Sequence, residues 1–254
     1  MIMPTVTPHG DGGVLQQHEH SQHEQTAPEK LFVEGRQALR QAINDRGIFR
    51  CPPGSHELVS LEGGKGYWDK TFYEWQFYLR GPLLEPQHLT FIARCFWSVF
   101  KPRYLKQPFQ ISCVEQAGVP IVTAILMTAA AFGIKLHAFT VRKERKAFGL
   151  ENYIEGQPNP ELPALFIDDL TSPTHATLWH WIRIVSQARI RFYPRCFVVI
   201  YKGRRADLKD IATTAGNLGI DAIYTLEDFD MTWQAYHANN FRLGLNEKTK
   251  TEIR

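Results

Sequence analysis

Ala164-Leu165-Phe166-Ile167-Asp168-Asp169-Leu170-Thr171-Ser172-Pro173-Thr174-His175-Ala176-Thr177 is the stretch on which the fold turns. Four apolar residues read as a buried strand that ends in two carboxylates. Small and hydroxylated residues follow, and a helix opens near Ala176. Successive strand side chains face opposite ways, so Asp168 and Asp169 can divide their work between sugar hydroxyls and the surroundings of a Mg²⁺ ion. The loop and the helix start can offer backbone N–H groups to a phosphate, with Ser172, Thr174, His175 and Thr177 beside them. The plainer alternative is a pair of solvated loop acids capping the next helix.

Outward from this stretch the pattern repeats. Short β-rich apolar runs stand at 108–114, 136–142, 164–167, 196–201 and 221–225. Helical periodicity fills 118–132 (closed by Gly133), 176–188, and 206–217 (closed near Gly219). Strand alternating with helix over short connections predicts an α/β fold, a central parallel sheet flanked by helices. In such sheets ligands bind beyond the carboxyl ends of the strands. Ahead of this core, at 106–235, come a helix over 31–50 ending near Gly47, an aromatic-rich region over 51–82, and a helix over 86–101. Together they form an N-terminal unit of 30–105. The aromatics from Tyr67 to Tyr78 can be a stacking platform for bases or the half-buried face of short strands. Residues 1–29 are polar, with four histidines, and read as a disordered tail; a metal site is the alternative, without closed tetrahedral spacing. Residues 236–254 form a C-terminal extension.

Composition narrows the classes. In 254 residues, 44% are hydrophobic, which supplies a core and excludes global disorder. The net charge of +3 does not demand nucleic acid. Cys51, Cys95, Cys113 and Cys196 lie far apart and read as reduced, mostly buried thiols. The sequence shows neither a signal peptide nor an apolar run long enough to span a bilayer, so the expectation is a cytoplasmic protein with no membrane contact.

The 164–177 stretch resembles the phosphoribosyl-pyrophosphate signature of the type I phosphoribosyltransferases, and the resemblance continues in order along the chain. Cys113-Val114-Glu115-Gln116-Ala117-Gly118-Val119-Pro120 looks like the pyrophosphate loop of orotate phosphoribosyltransferases. Val141-Arg142-Lys143-Glu144-Arg145-Lys146-Ala147-Phe148-Gly149 resembles their mobile basic loop, with Ile154-Glu155-Gly156 as its sequel. Val198-Val199-Ile200-Tyr201-Lys202 resembles the strand that ends in a base-binding cation, and Leu218-Gly219-Ile220 through Thr225-Leu226-Glu227-Asp228-Phe229 the closing strand and turn. Gly47-Ile48-Phe49 with Gly63 and Gly64 resembles the small N-terminal hood. Coverage is roughly 37 to 230. The resemblance implies phosphoribosyl pyrophosphate or a nucleotide as ligand, with Mg²⁺ at Asp168 and Asp169. It also implies a homodimer in which Arg142, Lys143 and Lys146 reach the neighbouring site, with Gly118 in the pyrophosphate loop and Lys202 on the base.

The departures are physical. Thr174 and His175 stand where the relatives have a glycine and a small neighbour, after Pro173, which has no N–H to donate. Neither residue readily takes the φ values open to glycine. The relatives' lysine is here Ala117, their loop histidine is Phe148, and their hood lysine falls near Leu61 or Glu62. His175 can replace lost phosphate donors, act as acid or base, or cap the helix. Three functions follow: a phosphoribosyl transferase or hydrolase; a catalytically degenerate nucleotide-sensing or effector module, as in bacterial anti-phage systems of the retron type; or a protein that binds a nucleic-acid or protein partner.

Overall fold

The computed structural model describes residues 27–50, 75–144, 152–173, 175–208, 211–213 and 216–231. Thr174, Lys146, the hood positions near Leu61 and Glu62, and nearly all of the His-rich tail lie outside these residues. So do Cys51, most of the aromatic run and the C-terminal extension. Helix α1 (Ala27–Arg46) starts three residues inside the stretch read as tail. A two-stranded antiparallel sheet follows, β1 (Ile48–Arg50) on β2 (Trp75–Phe77), with Ile48 opposite Phe77. A four-residue α2 (Arg80–Leu83) leads into α3 (Pro86–Lys106), which runs through Pro102 and five residues past the expected end.

The rest alternates around one sheet. Its elements are β3 (Gln110–Val114), α4 (Val119–Ala131), β4 (Ala138–Val141), β5 (Ile154–Gly156), β6 (Ala164–Thr171), α5 (Ala176–Gln187), β7 (Phe192–Tyr201), β8 (Ile211–Thr213) and β9 (Gly216–Thr225). The order across the sheet is β5-β4-β3-β6-β7-β9-β8. The five inner strands run parallel, and β5 and β8 close the two edges antiparallel. Such a sheet is buried on both faces, and its side chains sort by the strand period of two. Leu165, Ile167, Phe197 and Val199 join the core under α1, α3 and α4. Ala164, Phe166, Cys196 and Val198 join the core under α5, against Trp181.

Two sequence expectations are corrected. Residues 206–217 are not a helix: Arg205–Leu208 is one 3₁₀ turn, and Ile211–Thr213 pairs with Gly216–Leu218 as a hairpin. The β-branched Ile211 and Thr213, with Gly216 and Asn217 beyond, favour a strand and turn over a helix. Strand β6 also does not end at the carboxylates. It continues through Thr171, because β7 offers a ladder that far, with Leu170 opposite Ile200 and Thr171 opposite Tyr201. Cys95, Cys113 and Cys196 are free and buried, as expected, and burial pushes the first two thiols up to about 12.

Candidate functional site

The carboxyl ends of β3, β4, β6, β7 and β9 share one edge of the sheet, and the two aspartates stand there. Strand alternation continues through them. Asp168 follows Ala164 and Phe166 toward α5, while Asp169 follows Leu165 and Ile167 toward α4 and lines a cavity there. Asp168 is buried, and its Oδ1 accepts the Asp169 amide at 3.0 Å. Burial first, then the neighbouring Asp169 charge, hold the Asp168 carboxyl well above the usual carboxylate range. Asp169 is raised as well, again by burial. Cations surround the pair: Lys143 favours the ionised form of Asp168, and Arg80 that of Asp169. Lys202 lies within the field of Asp169, and burial lowers its own pKa. This is a pocket of costly carboxylates that a bound cation or a hydroxyl-bearing ligand would relieve.

Two loops flank the pair. Between β3 and α4, residues 115–118 fold back on the strand, with the Glu115–Gln116 peptide cis and the Glu115 amide on the Val141 carbonyl at 2.9 Å. A Cβ at Gly118 would lie 2.5 Å from the Cys113 Cβ and 3.1 Å from the Ile167 carbonyl, so only glycine fits this approach. After β4, Arg142 bonds Glu155 at 2.7 Å, stands 3.9 Å from Glu115, and receives a hydrogen bond from His180 Nε2 at its carbonyl, 2.9 Å. Glu155 holds its guanidinium pKa above the usual arginine value. Arg142 is therefore held by carboxylates of its own chain, while Lys143 is left toward Asp168. No sequence signal marked His180, which sits one turn into α5.

The segment after β6 departs from expectation at His175. This histidine does adopt the left-handed region, with φ 52° and ψ 28°. Its amide donates to the Ser172 carbonyl at 2.9 Å, so that N–H is not available to a phosphate. It stands at the N-cap of α5 but makes no side-chain cap. Its ring instead stacks parallel to Tyr201, centroids 6.1 Å apart, and among the described residues the buried Nδ1 has no partner. Burial lowers its pKa and keeps the imidazole neutral. Thr177 lies in the first helical turn, half-buried.

No family model matches the chain, and no curated protein does. Solved structures do. A phosphoribosyltransferase from Corynebacterium diphtheriae superposes with a TM-score of 0.56 at 18% identity, covering 78% of this chain and 99% of that one. Orotate phosphoribosyltransferase from Aeropyrum pernix gives 0.54 at 16% identity, covering 75% and 95%. The Mycobacterium tuberculosis orotate phosphoribosyltransferase, in complex with Fe(III) dicitrate, gives 0.52 at 16%, covering 78% and 99%. The chain has the type I phosphoribosyltransferase fold.

Within a phosphoribosyltransferase fold, the predicted residues divide into three groups. Asp168, Asp169, Lys143 and Lys202 come together at the strand ends. Ser172, His175 and Thr177 follow on the loop and helix beside them, and Gly118 faces them from the β3 loop. Arg142 is turned to Glu155, while Lys146 and Thr174 are outside the described residues. Arg80 is the residue that sequence reasoning missed: it opens α2 and shares a cavity of about 260 Å³ with Gln116, Ala117 and Asp169. No motif links position 80 to position 169, so only the folded chain could reveal it. Among the described residues no cluster of three or more His, Cys, Asp or Glu is placed to hold a metal. No described helix is long and apolar enough to cross a membrane.

Proposed function

We propose that this protein binds phosphoribosyl pyrophosphate, or a nucleotide, at the carboxyl ends of β3, β6 and β7, and transfers or hydrolyses the ribosyl bond. The observation that supports it most is the Asp168–Asp169 pair, with raised pKa values, among Lys143, Lys202 and Arg80. Mg²⁺ fits this donor set, because it is usually held by one or two carboxylates and completed by substrate oxygens and water. When bound, it would neutralise charge on the phosphates. Asp168 and Asp169 would hold it and accept hydrogen bonds from the ribose hydroxyls. Lys143, and Lys146 from the basic loop of a second subunit, would stabilise charge on the departing pyrophosphate. In the step itself the ribose C1–oxygen bond breaks and its electron pair leaves with pyrophosphate. A lone pair of the acceptor, or of water, forms the new bond, and a proton is released. Ser172, Thr177 and the neutral His175 ring would supply donors that Pro173 lacks.

A second reading has its own support. With Pro173 and the occupied His175 amide, the loop after β6 offers fewer N–H groups than a phosphate cradle uses. Arg142, moreover, is engaged inside its own chain. A module that senses a nucleotide without turning it over would have this form; a cytoplasmic effector of a bacterial anti-phage system is one setting for it. One experiment separates the readings: purified protein with phosphoribosyl pyrophosphate and Mg²⁺, followed by thermal shift and by pyrophosphate release. Stabilisation with release, lost in the Asp168→Asn/Asp169→Asn double variant, supports the enzyme. Stabilisation without release supports the sensor. No stabilisation removes both.

A further inference from the structure

No acidic residue stands between Asp169 and Asp207, a stretch that holds all of α5 and β7. Several of its cations are answered by carboxylates from outside it: Arg195 by Asp221, Arg204 by Asp207 and Arg205 by Asp228. Lys202 belongs to the strand-end site. Arg183, Arg189 and Arg191 remain, exposed on α5 and the turn after it, and among the described residues no carboxylate meets them. Arg183 donates to His180 Nδ1 at 3.2 Å, and Arg191 to the backbone carbonyl of Glu161 at 2.7 Å. Trp179, 37% exposed, stands one turn before Arg183 on the same helix face. Beside that face a groove of about 400 Å³ lies between α5 and the edge strand β5. Its lining includes Tyr153, Ile154, Asn152, Ile184, Gln187 and Ala188. The Tyr153 ring meets His180 edge-on, centroids 6.4 Å apart, which joins the groove to Arg183. Arg189 follows directly on Ala188.

Three cations alone describe a solvated face; the rings and the groove change the reading. A duplex keeps its base faces stacked inside and offers such a surface little beyond phosphates. A single strand offers phosphates and unstacked bases together, so that arginines can meet the first and aromatic rings the second. The amides of Asn152 and Gln187 can both donate to and accept from a base edge. An acidic polypeptide would engage the arginines and leave the rings unused. We propose that the outer face of α5 and the groove beside β5 bind single-stranded nucleic acid. Arg183, Arg189 and Arg191 meet phosphates, while Trp179 and Tyr153 stack on bases. This surface is separate from the carboxylate pair: two strands lie between β5 and β6, and Gln187 closes α5 at the end away from His175. The proposal does not depend on the phosphoribosyl reading.

The test titrates the full chain against labelled oligodeoxythymidylate and oligouridylate about a dozen nucleotides long, a span that one binding module covers. Fluorescence anisotropy is read at several salt concentrations. An unlabelled single strand, a duplex of equal length and polyglutamate serve as competitors. The expected result is that a labelled strand binds, that the duplex competes about tenfold more weakly than the single strand, and that polyglutamate does not compete. Three phosphate contacts should cost ~20-fold in affinity between about 50 and about 200 mM salt. Trp179→Ala is expected to weaken binding about tenfold, and Trp179→Phe to recover most of it. Arg189→Asn keeps a residue tolerant of φ 57°, yet should weaken binding and flatten the salt dependence. Both positions are exposed, and the variants should melt as the wild type does. Tighter binding of one labelled strand supports the proposal and identifies the partner as DNA or RNA. The proposal is overturned if neither strand binds at low salt, or if the duplex or polyglutamate competes as well as the single strand. It is also overturned if Trp179→Ala and Arg189→Asn both bind as the wild type does.

Discussion

The last four residues of β6 and the four that follow it belong to one continuous segment, yet they are built in opposite ways. Asp168 and Asp169 stand on a paired strand, each facing its own side of the sheet, with cations drawn from β4's loop, β7's end and α2. Residues 172–175 hold a proline, a left-handed histidine and an amide already spent on Ser172. The first half stores electrostatic cost that a ligand can release. The second half stores backbone strain and an unpartnered imidazole nitrogen. Under the proposed function, the side that would hold sugar and metal is thus furnished with charge, while the side that would hold phosphate would rely on side chains in place of backbone amides. Breaking each half should therefore give different signatures.

The carboxylate half should show the largest effect. Asp168→Asn is expected to abolish stabilisation by phosphoribosyl pyrophosphate with Mg²⁺, yet to make the unliganded protein more stable, by about 1 kcal/mol. The sign follows from burial. The folded carboxyl keeps its proton at pH values where an unfolded one, with a pKa near ~3.9, has lost it. The unliganded wild type therefore loses stability as pH rises from about 4 through the raised folded pKa, and the asparagine variant does not. Melting curves of both proteins across that range measure the difference. A wild type that gains stability relative to the variant as pH rises would show that the pair is not destabilised by burial.

The opposing loop should come next. Gly118→Ala pushes a methyl against Cys113 and the Ile167 carbonyl, atoms of a strand that cannot retreat. The expected cost is about 2 kcal/mol of stability, with loss of ligand response, read by chemical denaturation. At His175 the comparison is between two replacements. Both glycine and alanine lose the ring stacked on Tyr201, but only glycine takes φ 52° freely. His175→Gly should be the more stable of the two by about 1 kcal/mol. Equal stabilities would remove the left-handed conformation from the description.

Legibility follows the same division. The strand–acid–loop–helix order was readable because apolar runs and helical periodicity are local properties, and the strand period of two sorts Leu165 and Ile167 from Ala164 and Phe166. The length of β6 was not readable, because Asp-Asp-Leu-Thr looks like loop until β7 provides a partner ladder. The periodicity over 206–217 reads as helix for a similar reason: the strand character of 211–213 and 216–218 depends on pairing at the sheet edge. Arg80 meets Asp169 across 89 positions of chain, and no spacing rule connects them. His175 was expected to resist the conformation it holds, since stacking on Tyr201 is a tertiary compensation that the local sequence does not display.

The smallest effect tests how the two halves are joined. His180 lies on α5, the helix that begins at His175, and its Nε2 meets the carbonyl of Arg142 in the chain leading to Lys143. Arg183 Nη2 stands 3.2 Å from its Nδ1, and a guanidinium can only donate. Nδ1 therefore accepts, and the proton sits on Nε2, directed to Arg142. Through this one hydrogen bond, the helix that follows the phosphate-side loop fixes the start of the basic loop on the carboxylate side. His180→Ala should cost about 1 kcal/mol. The more telling readout is local: hydrogen exchange of the Arg142 amide, bonded to the Tyr153 carbonyl at 2.7 Å, should accelerate. Lys143 should follow, while amides in β6 and β7 stay protected. His180→Gln, which returns an N–H donor, should recover most of the protection. If alanine leaves exchange at Arg142 and Lys143 unchanged, the basic segment is held by Glu115 and Glu155 alone, and the two halves of the site are mechanically independent.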